Sequence, residues 1–226
     1  MVRFLKKAAF PALYLWLLIV LRVSVILPLI LATFPDKDIH MQHLMIDVEL
    51  MDEKHTAAIT GLSAVFFDPT TGEVGKQFYR RISLDDCMSS GGTVSAHSIQ
   101  WWLRQPSEVR SQILDDDSQG VELAIRDLYE FVFDNTDPNY IKTWFGCPSR
   151  HSTVIRHYLD KFAGQCFLTG NEQSVITMVT VAEELGLNMK SIIKYDFLRN
   201  SLAHALHNIK LVSYVWMFLG IKNSVR

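Results

Sequence analysis

Cysteine is scarce in this 226-residue chain: Cys87, Cys147 and Cys166 are an odd number, far apart, and no two form a CxxC pair. That pattern excludes a disulfide framework and gives no cysteine zinc site, so reduced, buried thiols in a cytosolic domain are expected. Net charge is scarce too, at −2 from 22 basic and 24 acidic residues. A generic polyanion binder held by a basic surface does not follow from such a balance. Glycine numbers 11, and its one adjacent pair, Gly91-Gly92, marks a flexible turn with too little glycine around it for a phosphate loop. There is no internal repeat and no low-complexity segment. The 20% charged residues are too many for a polytopic membrane protein, and the 49% hydrophobic residues too many for a disordered chain. The length allows one full domain plus an extra segment and is ample for a sizeable core.

What is present is unevenly divided. Of the first 40 residues, 27 are apolar, with five basic groups and two acidic ones. The remainder holds 17 basic and 22 acidic residues, a net of −5. The apolar stretch over residues 8–34 is long enough to cross a bilayer, which needs about 20 residues. Arg22 interrupts it, at about 2.5–3.5 kcal/mol if held at the bilayer centre. Arg3, Lys6 and Lys7 before it favour the N-terminus inside. Three readings stand for residues 1–40: a single-pass membrane anchor, an extension upstream of a reading frame that starts at Met41, or a cleaved signal, whose usual apolar core is shorter. Residues 41–226 then form the globular domain, cytoplasmic on its own and membrane-anchored if the leader is translated.

Within that domain, 43–50, 57–68 and 75–82 read as strands, the second ending at the turn Asp68-Pro-Thr-Thr-Gly72. Residues 95–104, 106–114 and 120–133 read as helices, 140–145 as a strand, and 153–162, 174–185 and 201–219 as helices. Strands first, then helices alternating with a strand, predict an α/β three-layer domain with a mixed sheet. Asp115-Asp116-Asp117 reads as a solvated loop or helix end, and Tyr214 to Phe218 as core on the last helix.

Asp47-Val48-Glu49 is the sharpest chemical signal. Residues two apart on a strand point to one face. Two carboxylates in an apolar strand are costly to bury unless paired or bound to a cation, and hard oxygen ligands suit Mg²⁺ or Mn²⁺. An edge strand presenting both groups to water would account for the tripeptide equally well.

The context is more specific. The runs His43-Leu-Met-Ile-Asp-Val-Glu-Leu-Met51, Ala57 to Gly72, Phe78-Tyr-Arg-Arg-Ile82 and Ser98-Ile-Gln-Trp-Trp-Leu-Arg-Gln105 resemble the bacterial and phage 3′-5′ exonucleases of the DEDD superfamily, the exoribonuclease-like or exodeoxyribonuclease VIII-like group. The resemblance extends over residues 41–219 and is strongest over 43–105. It implies an RNase H-like fold, four acidic ligands holding two divalent metals, Mg²⁺ or Mn²⁺, a histidine general base, and the 3′ end of single-stranded RNA or DNA as partner. Asp47 and Glu49 match the first two acidic positions. Trp101 and Trp102 match a tryptophan pair, where a ring would stack on a terminal base; core packing is the competing role for both.

The later motifs depart from the pattern. Where the family has Trp-Gly-Asn-Gly-Pro-Ser-Phe-Asp, this chain has Trp144-Phe-Gly-Cys-Pro-Ser-Arg-His151, so His151 stands in place of the aspartate. Gln173-Ser-Val-Ile-Thr177 puts Ser174 at another acidic position. Ala203-His-Ala-Leu-His-Asn-Ile209 answers His-Asn-Ala-Leu-Asp-Asp-Ala. His207 and Asn208 then replace two aspartates, and Ala203 occupies the general-base position with His204 next to it. Asp160 is a distant substitute ligand for His151. The candidate catalytic residues are therefore Asp47, Glu49 and His204, and the candidate metal ligands Asp47, Glu49, Asn208 and His151. A histidine-rich zinc site from His204, His207, His151 or His157 with Asp47 is a further arrangement the spacing permits. Two carboxylates with neutral partners should hold at most one hard cation, and weakly, so this copy reads as an impaired exonuclease or as a non-catalytic nucleic-acid-binding module. The acidic balance itself suits a nuclease whose substrate approaches through bound metal.

Overall fold

A computed structural model describes residues 41–114, 117–189 and 200–224. The apolar segment expected over residues 8–34 lies outside them, as do Asp115 and Asp116. Among the described residues, no helix is long and apolar enough to cross a membrane.

Three antiparallel strands open the domain: β1 (His43–Leu50), β2 (Ile59–Phe67) and β3 (Val74–Arg81). The short helices α1 (Leu84–Ser89), α2 (Ala96–Leu103) and α3 (Ser107–Arg110) follow. Then come α4 (Val121–Asn135), β4 (Lys142–Phe145), α5 (Pro148–Phe162), β5 (Glu172–Ser174), α6 (Val175–Glu184) and α7 (Ser201–Ser224). The sheet runs β3-β2-β1-β4-β5. β1 pairs antiparallel with β2 and parallel with β4, and β4 pairs parallel with β5, so the sheet is mixed as predicted.

β1 is central and buried on both faces, which is why its sequence reads as a nearly unbroken apolar run. Leu44, Ile46, Val48 and Leu50 face the larger core with Ile125 and Leu128 of α4 and Ile155 and Leu159 of α5. Met45 faces the other way, into a second core with Val65, Phe67, Trp144 and the α7 residues Ala205, Ile209 and Val212. The result is the expected helix–sheet–helix sandwich. By strand parity Asp47 and Glu49 point to the α7 side.

Several local expectations shift. α5 begins at Pro148, five residues before the expected start, because proline is acceptable in the first helical turn, where its missing N–H has no partner to lose. Residues 106–114 form a four-residue α-turn and then a 3₁₀ turn rather than one helix. Helix α1 and the three-residue edge strand β5 had no periodic signal. Cys87 and Cys166 are buried free thiols, but Cys147, at the start of α5, is partly exposed. Tyr214, Trp216 and Met217 are exposed and only Val215 of that group is fully buried, because one side of α7 turns away from the sheet. Gly91 takes φ +95°, as a turn glycine can, and Gly92 packs where a Cβ would meet Cys87 O at 2.7 Å.

Candidate functional site

A cleft of about 460 Å³ opens at the C-terminal end of β1. Asp47, Glu49, Trp101, Arg150, His151 and His204 all line it. β1 therefore brings its two carboxylates to the place where strand, helix starts and the tryptophan helix meet.

Each side chain is placed by a local feature. Asp47 is buried, and its Oδ1 lies 3.3 Å from His151 Nδ1. That separation is within ion-pair range, yet the nitrogen lacks hydrogen-bond geometry to any partner among the described residues. His151 reaches Asp47 because Pro148 starts α5 early and leaves residue 151 in its first turn. Glu49 accepts a 2.7 Å hydrogen bond on Oε1 from the Ser201 backbone N–H, the first residue of α7. Thr60 Oγ1 approaches Oε2 at 3.5 Å. Asn200 caps the same helix by accepting from Ala203 N–H at 2.9 Å, so the positive end of α7 is aimed at the Glu49 carboxylate. Burial, reinforced by the charge of Asp47, outweighs these hydrogen bonds and pushes the Glu49 carboxyl up to about 7.

Gly61 is cross-strand from Glu49, and a Cβ there would lie 2.6 Å from the Glu49 carboxyl carbon. The carboxylate rests on bare backbone. Asn208 Nδ2 and His151 Cε1 come to 3.5 and 3.8 Å from the Cβ direction of Gly146, so Asn208 and His151 converge beside that glycine.

The tryptophan pair divides its labour. Ser95 caps α2 by accepting from Ser98 N–H, which fixes the helix. Both rings line the cleft, but Trp102 is 7% exposed and packs into the core, whereas Trp101 is 49% exposed on the cleft wall. The two rings meet edge to face at 5.1 Å. Core packing thus accounts for the burial of Trp102 and not for the exposure of Trp101.

Other expectations are corrected. Ser174 is not in the cleft: its side chain caps α6 by accepting from Thr177 N–H, a role any short polar residue before a helix takes up. His207 does not line the cleft although His204 does. Asp160 is exposed and bonds Gln165 on the far part of α5. His157 packs against His55, with ring centroids 5.5 Å apart. The histidine-rich zinc arrangement therefore does not assemble: among the described residues no three His, Cys, Asp or Glu side chains gather as a metal site. Glu53, His97, Gln105, Asn200 and Arg150 also line the cleft. Glu53, His97 and Asn200 carry no sequence motif, whereas Gln105 ends the Ser98–Gln105 run and Arg150 stands immediately before His151 in the run from Trp144.

The resemblance called for two divalent cations held by four carboxylates. The donors present do not fit that pair. Asp47 has an imidazole as its neighbour where the pattern has a carboxylate, Glu49 is the second of only two acids in line, and Asn208 offers an uncharged amide. Two hard dications about 3.5–4 Å apart need more negative charge than this.

The profile of the 3′-5′ exoribonuclease Rv2179c-like domain matches residues 42–216. Among curated proteins none matches the sequence. Among solved structures, E. coli exonuclease I in complex with a dT13 oligonucleotide is similar with a TM-score of 0.56 at 10% identity, over 76% of this chain and 40% of that one. The nuclease domain of 3′hExo, a DEDDh family member bound to rAMP, is similar with a TM-score of 0.51 at 10% identity, over 80% and 92%. Cell-death related nuclease 4 (CRN-4) gives 0.53 at 8% identity, over 76% and 62%. The chain spans about two fifths of exonuclease I, and at such identities the likeness is one of fold.

Proposed function

The chain belongs to the 3′-5′ exoribonuclease Rv2179c-like domain family, within the DEDD-type 3′-5′ exonucleases, and from that premise we propose that it binds the 3′ end of single-stranded RNA or DNA while its two-metal hydrolysis is impaired. The observation that carries the reading is the His151 imidazole 3.3 Å from Asp47, where the family pattern calls for a carboxylate. Asn208 in place of an acid and Ala203 in place of the histidine base act in the same direction. Mg²⁺ or Mn²⁺ would be held weakly or not at all.

Binding needs less than hydrolysis does. Trp101 offers an exposed ring on the cleft wall, and stacking of one base on an aromatic ring is worth about 1–3 kcal/mol. His204 and Gln105 supply hydrogen-bonding groups in the same cleft. The dT13 oligonucleotide bound to exonuclease I and the rAMP bound to the 3′hExo nuclease domain support a substrate of this class.

The test incubates the full chain with 3′-labelled single-stranded RNA and DNA plus Mn²⁺. Retained binding with little or no shortening is expected. Shortening that disappears in Asp47→Ala would overturn the impairment, and failure to bind either nucleic acid under any condition would overturn the reading as a whole.

A further inference from the structure

Arg150 is left without an account by the family pattern. It sits in the first turn of α5 and lines the same cleft as Asp47, Glu49 and Trp101. Its Nε is fully buried and has no hydrogen-bond partner among the described residues. Three acidic side chains, Asp47, Glu49 and Glu53, share the cleft. Yet among the described residues Asp47 has the His151 imidazole as its neighbour at 3.3 Å, and no ion pair forms with the arginine.

A desolvated guanidinium N–H without an acceptor is an uncompensated cost. Guanidinium is also the side chain best shaped to take two oxygens of one phosphate at once. A cation fixed in this cleft supplies, on a covalent tether, some of the positive charge that bound metals supply elsewhere. The cleft volume of about 460 Å³ lies within the range of pockets for small ligands, and the exposed Trp101 ring stands on its wall.

Building on the nucleic-acid reading above, we infer that Arg150 is a metal-independent anchor for the phosphate of a nucleotide, which it holds while the base lies against Trp101. The ligand class is a nucleoside monophosphate or the terminal nucleotide of a single strand. Asp47 opposes the ligand by repulsion in this arrangement; in a metal-mediated site it would recruit it. The two arrangements therefore respond to loss of the Asp47 charge with opposite sign.

The experiment is calorimetric titration of the full chain with 5′-AMP, adenosine, inorganic phosphate and a single-stranded pentanucleotide, in EDTA and in Mg²⁺. AMP should bind in EDTA, at least about tenfold more tightly than adenosine or inorganic phosphate, as a charge-assisted hydrogen bond warrants. Arg150→Gln should remove that advantage while the melting temperature holds or rises, since the buried Nε it removes has no hydrogen-bond partner among the described residues. Asp47→Asn should leave AMP affinity in EDTA unchanged or raise it. AMP binding that appears only with Mg²⁺ and is lost in Asp47→Asn overturns the inference, as does an Arg150→Gln protein with undiminished affinity. Pentanucleotide binding in Mg²⁺ but not in EDTA overturns this inference and leaves the proposed function standing. Pentanucleotide binding in neither condition overturns both.

Discussion

Gly61 lies directly beneath the Glu49 carboxyl group: a methyl group at residue 61 would sit 2.6 Å from the carboxyl carbon and from Oε1. The carboxylate keeps its bond to Ser201 N–H only because β2 presents no side chain at that point. Gly61→Ala should therefore push Glu49 aside, cost about 1–2 kcal/mol through the lost hydrogen bond and crowding, and loosen the start of α7. Thermal melts of Gly61→Ala in the parent and in a Glu49→Ala background check this. The cost should largely vanish in the second background. An equal cost in both would show that Glu49 is not what residue 61 accommodates.

Stability should fall as pH rises across the Glu49 titration. The carboxyl has an ordinary value of 4.5 and is pushed up to about 7 in the folded chain, chiefly by burial. Between those values the folded state holds a proton that the unfolded chain has released, so the stabilisation present at low pH is lost as pH rises through about 7. The full swing is roughly 3 kcal/mol. Glu49→Gln, which mimics the protonated form, should match the parent near pH 4.5 and exceed it at pH 8 in urea unfolding. A variant with the same pH slope as the parent would contradict the assignment to Glu49.

The tryptophan pair should separate stability from binding. Trp102→Ala removes a core side chain and is expected to cost about 3–5 kcal/mol. Trp101→Ala removes an exposed ring, should change stability by less than about 1 kcal/mol, and should weaken oligonucleotide binding by about tenfold or more. Melting curves and fluorescence anisotropy read the two effects separately. Unchanged affinity in Trp101→Ala would remove the stacking role.

Restoring the family residues should restore chemistry. His151→Asp, Asn208→Asp and Ala203→His together are expected to raise Mn²⁺-dependent shortening of 3′-labelled strands by at least about 100-fold, the scale of a general base alone. Adding Asp47→Asn to that variant should abolish the gain. No gain at all would place the impairment elsewhere.

Much of this architecture was legible before the structure, and for identifiable reasons. β1 shows itself because a central strand buried on both faces leaves an apolar run that only Asp47 and Glu49 break. α4 shows itself because Val121, Ala124, Ile125, Leu128 and Val132 recur at helical spacing. β5, three residues on an edge, has too little length for periodicity. The same shortness misassigned Ser174, since a serine before a helix resembles any polar position until the helix start is fixed. His97 and Asn200 were missed because convergence of separate elements leaves no local pattern, whereas paired carboxylates two residues apart do. The exposed side of α7 was misread because one apolar helix sequence fits a buried and a half-buried position alike.

The hydrogen bond from Ser201 to Glu49 joins groups 152 residues apart in sequence. Such a closure comes late: the first strand emerges from the ribosome long before the helix that completes its cleft. A growing chain carries both carboxylates but no finished cleft, and so does one clipped before residue 201. A binding site built on this cleft would therefore be complete only once α7 has been made, and cleavage before residue 201 should abolish oligonucleotide binding without touching a single cleft-lining residue of β1 or α2.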